Sequence, residues 1–229
     1  MLLIGRFESP FVRRVAVSMK LLGFGYEHAA WSIGPDLERI RQYNPLGRVP
    51  TLVLDEGEVL MDSSAILDHL DELVGPRRAL LPVAGRERRE ALRLMAFALG
   101  AAEKARDVVY EQRFRPPEQR SEAWMARCGM QVDGALSELT AHCERRGGRW
   151  LVGDALSQAD VTVSCAYTFV IQALQIEEAA PRRFPGLSAV VNRCEARPEF
   201  LSTFVPYSKP APASTDPKPA PTGTQPARG

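Results

Sequence analysis

The sequence predicts an α/β layer domain over residues 1–75 followed by an all-helical domain over residues 86–206. Three observations carry that expectation. Strand and helix patterns alternate as β-α-β-α-β-β-α up to residue 75, the order of a small sheet covered by helices. The stretch from Gly75-Pro76 to Gly85 then carries Pro76, Pro82 and both glycines, and reads as a linker over residues 76–85. Beyond it the apolar residues recur at helical spacing and no strand pattern returns.

Leu2-Leu3-Ile4 is a short buried strand closed by Gly5. No charged leader precedes this apolar run, so it is not expected to be a signal peptide. Ser9-Pro10 opens a helix, with Ser at the N-cap and Pro at the first helical position, where its missing N–H costs nothing. Val12, Val15, Ala16, Met19 and Leu22 form one apolar stripe before Gly23 ends that helix. Tyr26 to Ala30 reads as a second strand and Asp36 to Gln42 as a short helix. The first βαβ unit should be parallel and right-handed.

Residues Asn44 to Leu67 are the densest stretch. Asn44-Pro45 and Leu46-Gly47 are turn punctuation. Val49-Pro50 precedes the β-branched run Thr51–Leu54, and proline, lacking an N–H, suits the first residue of a strand. Glu56-Gly57 turns the chain back as Glu58–Met61. Asp62-Ser63-Ser64 then supplies oxygen acceptors for the free N–H groups opening a helix over Ser63–Leu73. Turn, hairpin and cap packed so closely suggest a place where a ligand meets main chain.

In the second half, Arg86–Phe114 is a long helix with Ala91, Leu92, Met95, Leu99, Ala102 and Ala105 as its core face. Pro116-Pro117 breaks it, and Glu118–Arg146 makes a second long helix ending at Gly147-Gly148. Trp150–Gly153 is a tight apolar link. Ser157 and Asp160 have the spacing of a capping box at the start of a nearly all-apolar helix reaching Leu174. Phe184–Arg197 and Glu199–Phe204 close the domain. Residues 207–229, rich in Pro, Ala, Ser and Thr, are expected to be disordered or polyproline-like.

Apolar residues make up 45% of the 229, enough for a sizeable core. Lys and Arg nearly balance Asp and Glu, giving +1, so no basic footprint for nucleic acid is expected. No apolar run approaches the roughly 18–20 residues of a membrane span. Cys128, Cys143, Cys165 and Cys194 form no CxxC pair, which fits buried thiols in a reducing cytoplasm. His28, His69 and His142 are far apart, and no metal site is expected.

With these elements in order, the chain resembles the cytosolic glutathione S-transferase family from Met1 to about Val205. The resemblance rests on Ser9-Pro10-Phe11 opening the first helix, Val49-Pro50 before the third strand, Asp62-Ser63 opening the third helix, and the Ser157-to-Asp160 box. The segment Ser9-Pro10-Phe11-Val12-Arg13-Arg14-Val15 looks most like bacterial serine-type members and their plant tau-class relatives. The resemblance implies a thioredoxin-like first domain, glutathione as co-substrate and no metal, a small hydrophobic electrophile as second substrate, and a cytoplasmic homodimer active in detoxification. In such a dimer the third helix faces the partner's long helices, making Leu67, His69, Leu70 and Leu73 candidate contacts.

Carried over residue by residue, Val49-Pro50 would hold a cis bond and offer the Val49 N–H and C=O as a strand edge to the cysteinyl part of glutathione. Ser63 would take the γ-glutamyl carboxylate at a helix N-terminus, with Asp62 near the amine. Arg48 would face the glycyl carboxylate, and Phe11 counts with the glutathione set. Ser9 would donate its hydroxyl to the glutathione sulfur and act as an electrostatic activator, not as the nucleophile. A thiol of this kind has a pKa near 8.5, and lowering it to about 6.5 corresponds to roughly 2.7 kcal/mol of preferential thiolate stabilisation. Serine cannot form the mixed disulfide that a cysteine there would, so disulfide reduction is disfavoured. Phe7, Phe11, Arg106 and Tyr110 are candidates for the acceptor pocket, the last two sharing a helix face. The Ser157 box is a folding element and not a binding site. The alternatives are a non-catalytic binding or regulatory member of the family and a glutathione-dependent isomerase or dehalogenase on the same scaffold.

Overall fold

The computed structural model describes residues 1–147 and 149–207. The first unit runs β1 (Leu2–Ile4), α1 (Pro10–Leu22), β2 (Glu27–Ala29), α2 (Leu37–Arg41), β3 (Thr51–Val53), β4 (Val59–Met61) and α3 (Ser63–Val74). Its sheet has the order β2-β1-β3-β4, with β1 parallel to β2 and the other pairings antiparallel. This is the thioredoxin-like α/β arrangement that the element order predicts. Leu3 and Leu52 of the central strands pack with Val12, Val15 and Met19 of α1 and with Ile66 and Leu70 of α3, all fully buried. Leu67 and Leu70 therefore belong to this core and not to an exposed dimer face, whereas Leu73 is half exposed.

The helical unit contains α4 (Gly85–Phe114), α5 (Glu122–Arg146), α6 (Gln158–Ala173), α7 (Ala180–Arg183), α8 (Pro185–Glu195) and α9 (Pro198–Leu201). Five details differ from the sequence expectation. The buried stripe of α4 is Ala91, Leu94, Met95, Ala98, Ala101, Ala102 and Ala105, while Leu92 is 43% exposed. Alanines make up most of this stripe, and their short side chains let a neighbouring helix lie close. The helix expected from Glu118 is instead a 3-10 turn, Pro117–Gln119, followed by α5, whose N-cap Ser121 accepts from the Trp124 N–H at 3.2 Å. Proline cannot continue the ladder, and a hydroxyl three residues before a free N–H restarts it. Helix α7 was not expected from the pattern, and the last helix is shorter than Glu199–Phe204. Of the expected tail, only Tyr207 lies within the described residues, and it is packed, edge-on to Phe169 at 5.3 Å with its N–H on Gln172 Oε1 at 2.9 Å.

Helix α6 is buried along nearly its whole length and packs against α4, α8 and α1. The capping box is formed: Asp160, fully buried, accepts from the Ser157 N–H at 2.9 Å and the Ser157 hydroxyl at 2.7 Å, and its other oxygen accepts from the Leu151 N–H at 2.8 Å. The linker is tied down at its middle to both units, by Asp71 accepting the Leu80 and Leu81 N–H groups and by Leu80 C=O accepting from Gln158 N–H at 2.8 Å. Among the described residues no helix is long and apolar enough to cross a membrane.

The two units share α1. One face lies on the sheet, the other on α6. Arg13, 3% exposed, donates to both oxygens of Glu195 at 2.8 and 2.5 Å and to the Phe200 carbonyl at 3.1 Å. Ser18 donates to Gln158 Oε1 at 3.1 Å. Removing one partner of a buried ion pair leaves the other charge uncompensated, which costs more than the pair contributes. Glu195→Ala is therefore expected to lower unfolding free energy by about 3 kcal/mol or more, read from its denaturation midpoint. Combining Arg13→Met with Glu195→Leu should restore most of that loss. A midpoint unchanged by Glu195→Ala would sink this account of how the units are joined.

Candidate functional site

A cleft of about 390 Å³ opens where the N-terminus of α1, the segment after β2, the turn before β3 and the C-terminal half of α4 converge. Of the residues expected at a site, Ser9, Phe11, Arg48, Val49, Arg106 and Tyr110 line it. Phe7, Pro50, Asp62 and Ser63 do not. Trp31, Arg113, Phe169 and Tyr207 line it too, and no sequence signal had singled them out. Arg113 carried the clearest hint, lying one turn beyond Tyr110 and two beyond Arg106 on the same helix face. Phe169 is hidden in an all-apolar helix and Tyr207 in a proline-rich end.

Ser9 caps α1, but its oxygen accepts from the Val12 N–H at 3.5 Å, the long limit of such a bond. A serine oxygen that accepts still has its O–H to give. Capping and donation into the cleft are thus compatible uses of one hydroxyl. Gly5 brings the end of β1 against both α1 and the turn: with φ at +130°, a β-carbon there would stand 2.5 Å from Val12 Cγ2 and 2.8 Å from Val49 Cβ. The turn itself is pinned by Asn44, 1% exposed, whose amide donates to the Arg48 carbonyl at 3.0 Å and to Thr51 Oγ1 at 3.2 Å. The Val49–Pro50 bond is cis and Pro50 is buried. Among the described residues the Val49 N–H and C=O take no hydrogen-bond partner, so the main chain beside the cleft has one donor and one acceptor to offer.

Asp62 and Ser63 stand at the start of α3. Asp62 has φ +70°, a conformation that costs a non-glycine residue of order 1–3 kcal/mol and persists only where the surroundings hold it. It is held by its own carboxylate, which accepts from the Ser64 N–H at 2.7 Å. Ser63 is 4% exposed. Beneath this turn lies Arg14 of α1, 1% exposed, with Nη2 3.4 Å from the Ser64 hydroxyl and with Nε and Nη1 unpartnered among the described residues. Burial brings the Arg14 pKa down to about 10, against the pull of the Asp62 carboxylate. A buried guanidinium with two idle donors is an unusual thing to retain in a core. Its singular feature is a neighbour whose carboxylate reaches the surface. Sequence reasoning missed Arg14 because arginine within a helix is ordinarily a solvated residue.

Phe7, expected on the acceptor wall, stacks instead on His28, with ring centroids 3.9 Å apart and an interplanar angle of 3°, while His28 Nε2 lies 2.7 Å from the Gly5 carbonyl. Arg48 is exposed. Arg106 is held at 3.2 Å by Asp107, which also binds Lys104 at 2.9 Å. Burial pushes the Tyr110 phenol above its ordinary pKa, partly countered by Arg106, Arg113 and Arg48, so it stays a proton donor at neutral pH. No cysteine lines the cleft, and burial raises Cys165 and Cys194 to about 12, and Cys143, half-buried, to about 11. Among the described residues no cluster of His, Cys, Asp and Glu has the makings of a metal site.

Two family models match the chain. One described as the N-terminal domain of glutathione S-transferase covers residues 3–78, and one described as its C-terminal domain covers residues 109–198. A solved glutathione transferase family member from Pseudomonas fluorescens, with bound glutathione, is 30% identical over 90% of this chain and 99% of its own, with a TM-score of 0.77. A glutathione S-transferase from Methylobacterium radiotolerans, solved in complex with glutathione sulfonate, is 27% identical over 91% of this chain and 96% of its own, with a TM-score of 0.83. Among curated sequences, the Escherichia coli protein YibF, described as an uncharacterized GST-like protein, is 29% identical over 90% of this chain and 99% of its own. A maleylacetoacetate isomerase from Pseudomonas aeruginosa is 38% identical over 80 residues, 33% of this chain and 37% of its own.

The close approach at Gly5 can be tested directly. Gly5→Ala combines a disfavoured φ with overlap on Val12 and Val49. It is expected to cost about 2 kcal/mol or more, the scale of core overpacking, and to displace the Val49 turn in a crystal structure of the variant. Unchanged stability together with an unmoved turn would contradict the packing described.

Proposed function

The chain belongs to the glutathione S-transferase family, and from that premise we propose that it binds glutathione and conjugates it to a small electrophile. The observation that carries this reading is the shared wall of the cleft, where the Ser9 hydroxyl and the unpaired main chain of Val49 both face one space. An extended thiol peptide paired with Val49 N–H and C=O brings its sulfur to the positive end of α1. There the Ser9 O–H donates to sulfur and favours the thiolate. The sulfur then bonds to the electrophilic carbon, and the leaving group departs with the bonding pair, or, in an addition, the adjacent carbon takes a proton from water. Ser63 and the first N–H groups of α3 receive the γ-glutamyl carboxylate and Asp62 its amine. Arg48 faces the glycyl carboxylate and Phe11 flanks the peptide. The solved relatives holding glutathione or its sulfonate support the same choice of ligand.

Arg14 enters this reading as a positioning residue. Its buried charge lies in the field of the Asp62 carboxylate and keeps the α3 turn electrostatically balanced when an amine arrives. A cytoplasmic homodimer goes with the proposal as the family's usual setting. Glutathione-dependent isomerisation is the second reading, favoured by the match to a maleylacetoacetate isomerase; it would use the same glutathione residues. A non-catalytic, regulatory role is weakened by the survival of Ser9, Val49 and Asp62-Ser63 together.

Ser9→Ala is expected to lower conjugation about a hundredfold, the equivalent of losing roughly 2.7 kcal/mol of thiolate stabilisation, while glutathione still binds and the fold survives the loss of one long cap bond, about 1 kcal/mol. The pH titration of the bound thiol's ultraviolet absorbance should move toward the free value. Turnover and titration both unaffected would refute Ser9 as the activator, and no glutathione binding by calorimetry would refute the transferase itself. Arg14→Met replaces a costly buried charge by an apolar chain of similar length, so thermal stability should hold or rise. Glutathione affinity should fall about tenfold, on the scale of one interaction with a charged group. Affinity equal to that of the unaltered protein would leave Arg14 a packing residue only.

A further inference from the structure

Beyond Ser9 and Val49 the cleft is rich in hydrogen-bond donors and aromatic faces. Arg6, Arg48, Arg106 and Arg113 line the cleft, and Glu8 is the one carboxylate among its lining residues. Glu8 is already committed to Arg6, and Arg106 to Asp107. Among the described residues, neither Arg48 nor Arg113 forms an ion pair. Arg113 is half-buried, lies over the Phe114 ring at 5.1 Å, and reaches across the opening so that its Nη2 would stand 3.6 Å from a β-carbon at Gly34. Arg106 Nε is buried with no partner among the described residues. Between these guanidinium groups stand the Tyr110 and Tyr207 phenols, and Phe11, Trp31 and Phe169 complete the walls.

A guanidinium group has donors and no acceptor, and partial burial among rings strengthens what it attracts. A purely hydrophobic electrophile would leave Arg113 unanswered, which is costly in a partly desolvated place. From this juxtaposition we propose that the acceptor substrate is a small aromatic or unsaturated electrophile bearing a carboxylate, with the carboxylate on Arg113 and the apolar body against Phe169 and Tyr207. Arg113 is then the residue that sets substrate charge, and Tyr207 closes the wall behind it. The inference rests on the transferase reading for the identity of the second reactant. Glutathione's own glycyl carboxylate is the other anion near Arg48, so a test must separate the two.

The pair 4-chloro-3,5-dinitrobenzoate and its methyl ester does so. In each, the glutathione sulfur bonds to the ring carbon that carries chlorine and chloride leaves with the electron pair. The two conjugates then differ only in the charge at the far end. By calorimetry the carboxylate conjugate is expected to bind about tenfold tighter than the ester conjugate, a gap of one partly screened charge-assisted hydrogen bond. Arg113→Gln should reduce that ratio to about two or less, on the same reasoning, and kcat/KM for the two chlorides, corrected for the uncatalysed rates, should follow it. Equal affinities in the unaltered protein, or a ratio that Arg113→Gln leaves standing, overturn the proposal. Loss of affinity for both conjugates alike would assign Arg113 to glutathione's own carboxylate and also overturn it. Charge-selective binding with turnover of neither chloride would uphold the anion subsite while removing the transferase reading.

Discussion

The constraint on which the rest of the structure depends is that α1 must be buried on nearly every side. Its apolar stripe, Val12, Val15 and Met19, belongs to the sheet's core, and its opposite side meets α6. A helix enclosed this way has no solvated face for polar residues, yet it carries Arg13, Arg14 and Ser18, each almost fully buried. Every one must therefore be answered inside. Ser18 is answered by Gln158 and Arg13 by Glu195 and a carbonyl. These polar bonds fix α1 in rotation and depth far more narrowly than packing alone would, because a guanidinium with two defined partners tolerates little sliding. The position of Ser9 at the cleft follows from that anchoring, since Ser9 is the N-cap of the same helix.

Arg14 is the exception that ties this constraint to chemistry. Its partners within the described residues are one weak hydroxyl contact and the field of Asp62. A fold selected for stability alone would have little reason to keep it, since an apolar replacement avoids the desolvation cost. Asp62 adds a second local cost through its positive φ. Two unfavourable features, one on α1 and one at the start of α3, meet in the same place. On the proposed reading, that coincidence is a charged turn held ready for a ligand, with the cost met by the cores on either side.

Much of the fold was legible because hydrophobic period and turn chemistry are local properties. The strand Leu2–Ile4, the hairpin, and the ends of α1 and α3 follow from residues within a few positions of each boundary. The misses share a different cause. Leu92 was read into the core because leucine outweighs alanine in any apolar count, but α4 is packed through its alanines. The 3-10 turn before α5 depends on Ser121 as cap, which competes with Pro117 as a start within the same few residues. In the site, Ser9, Arg48 and Val49 were found from motifs that lie at element boundaries. Arg113, Phe169 and Tyr207 were not, because they come together only when α4, α6 and the end of the chain close on the first domain. Arg14 was invisible for the opposite reason, since nothing local says that a helix will be enclosed.

Charge shows the same separation between composition and arrangement. A formal charge of +1 over the whole chain says that the surface as a whole has no preferred partner. It says nothing of how 29 basic and 28 acidic side chains are distributed. Elsewhere on the molecule exposed pairs, such as Arg93 and Arg145 on Glu138, contribute little to stability and cast little field. In the cleft the pairing is incomplete, and the surplus lies where aromatic walls limit screening by water. The first half of the cleft offers a cap hydroxyl and an open stretch of main chain; the second offers positive charge with few acceptors. A thiolate formed at Ser9 and a carboxylate lodged near Arg113 would each be stabilised by a different group. The field that draws in an anionic substrate therefore need not be the one that activates the thiol, and the two can be altered separately.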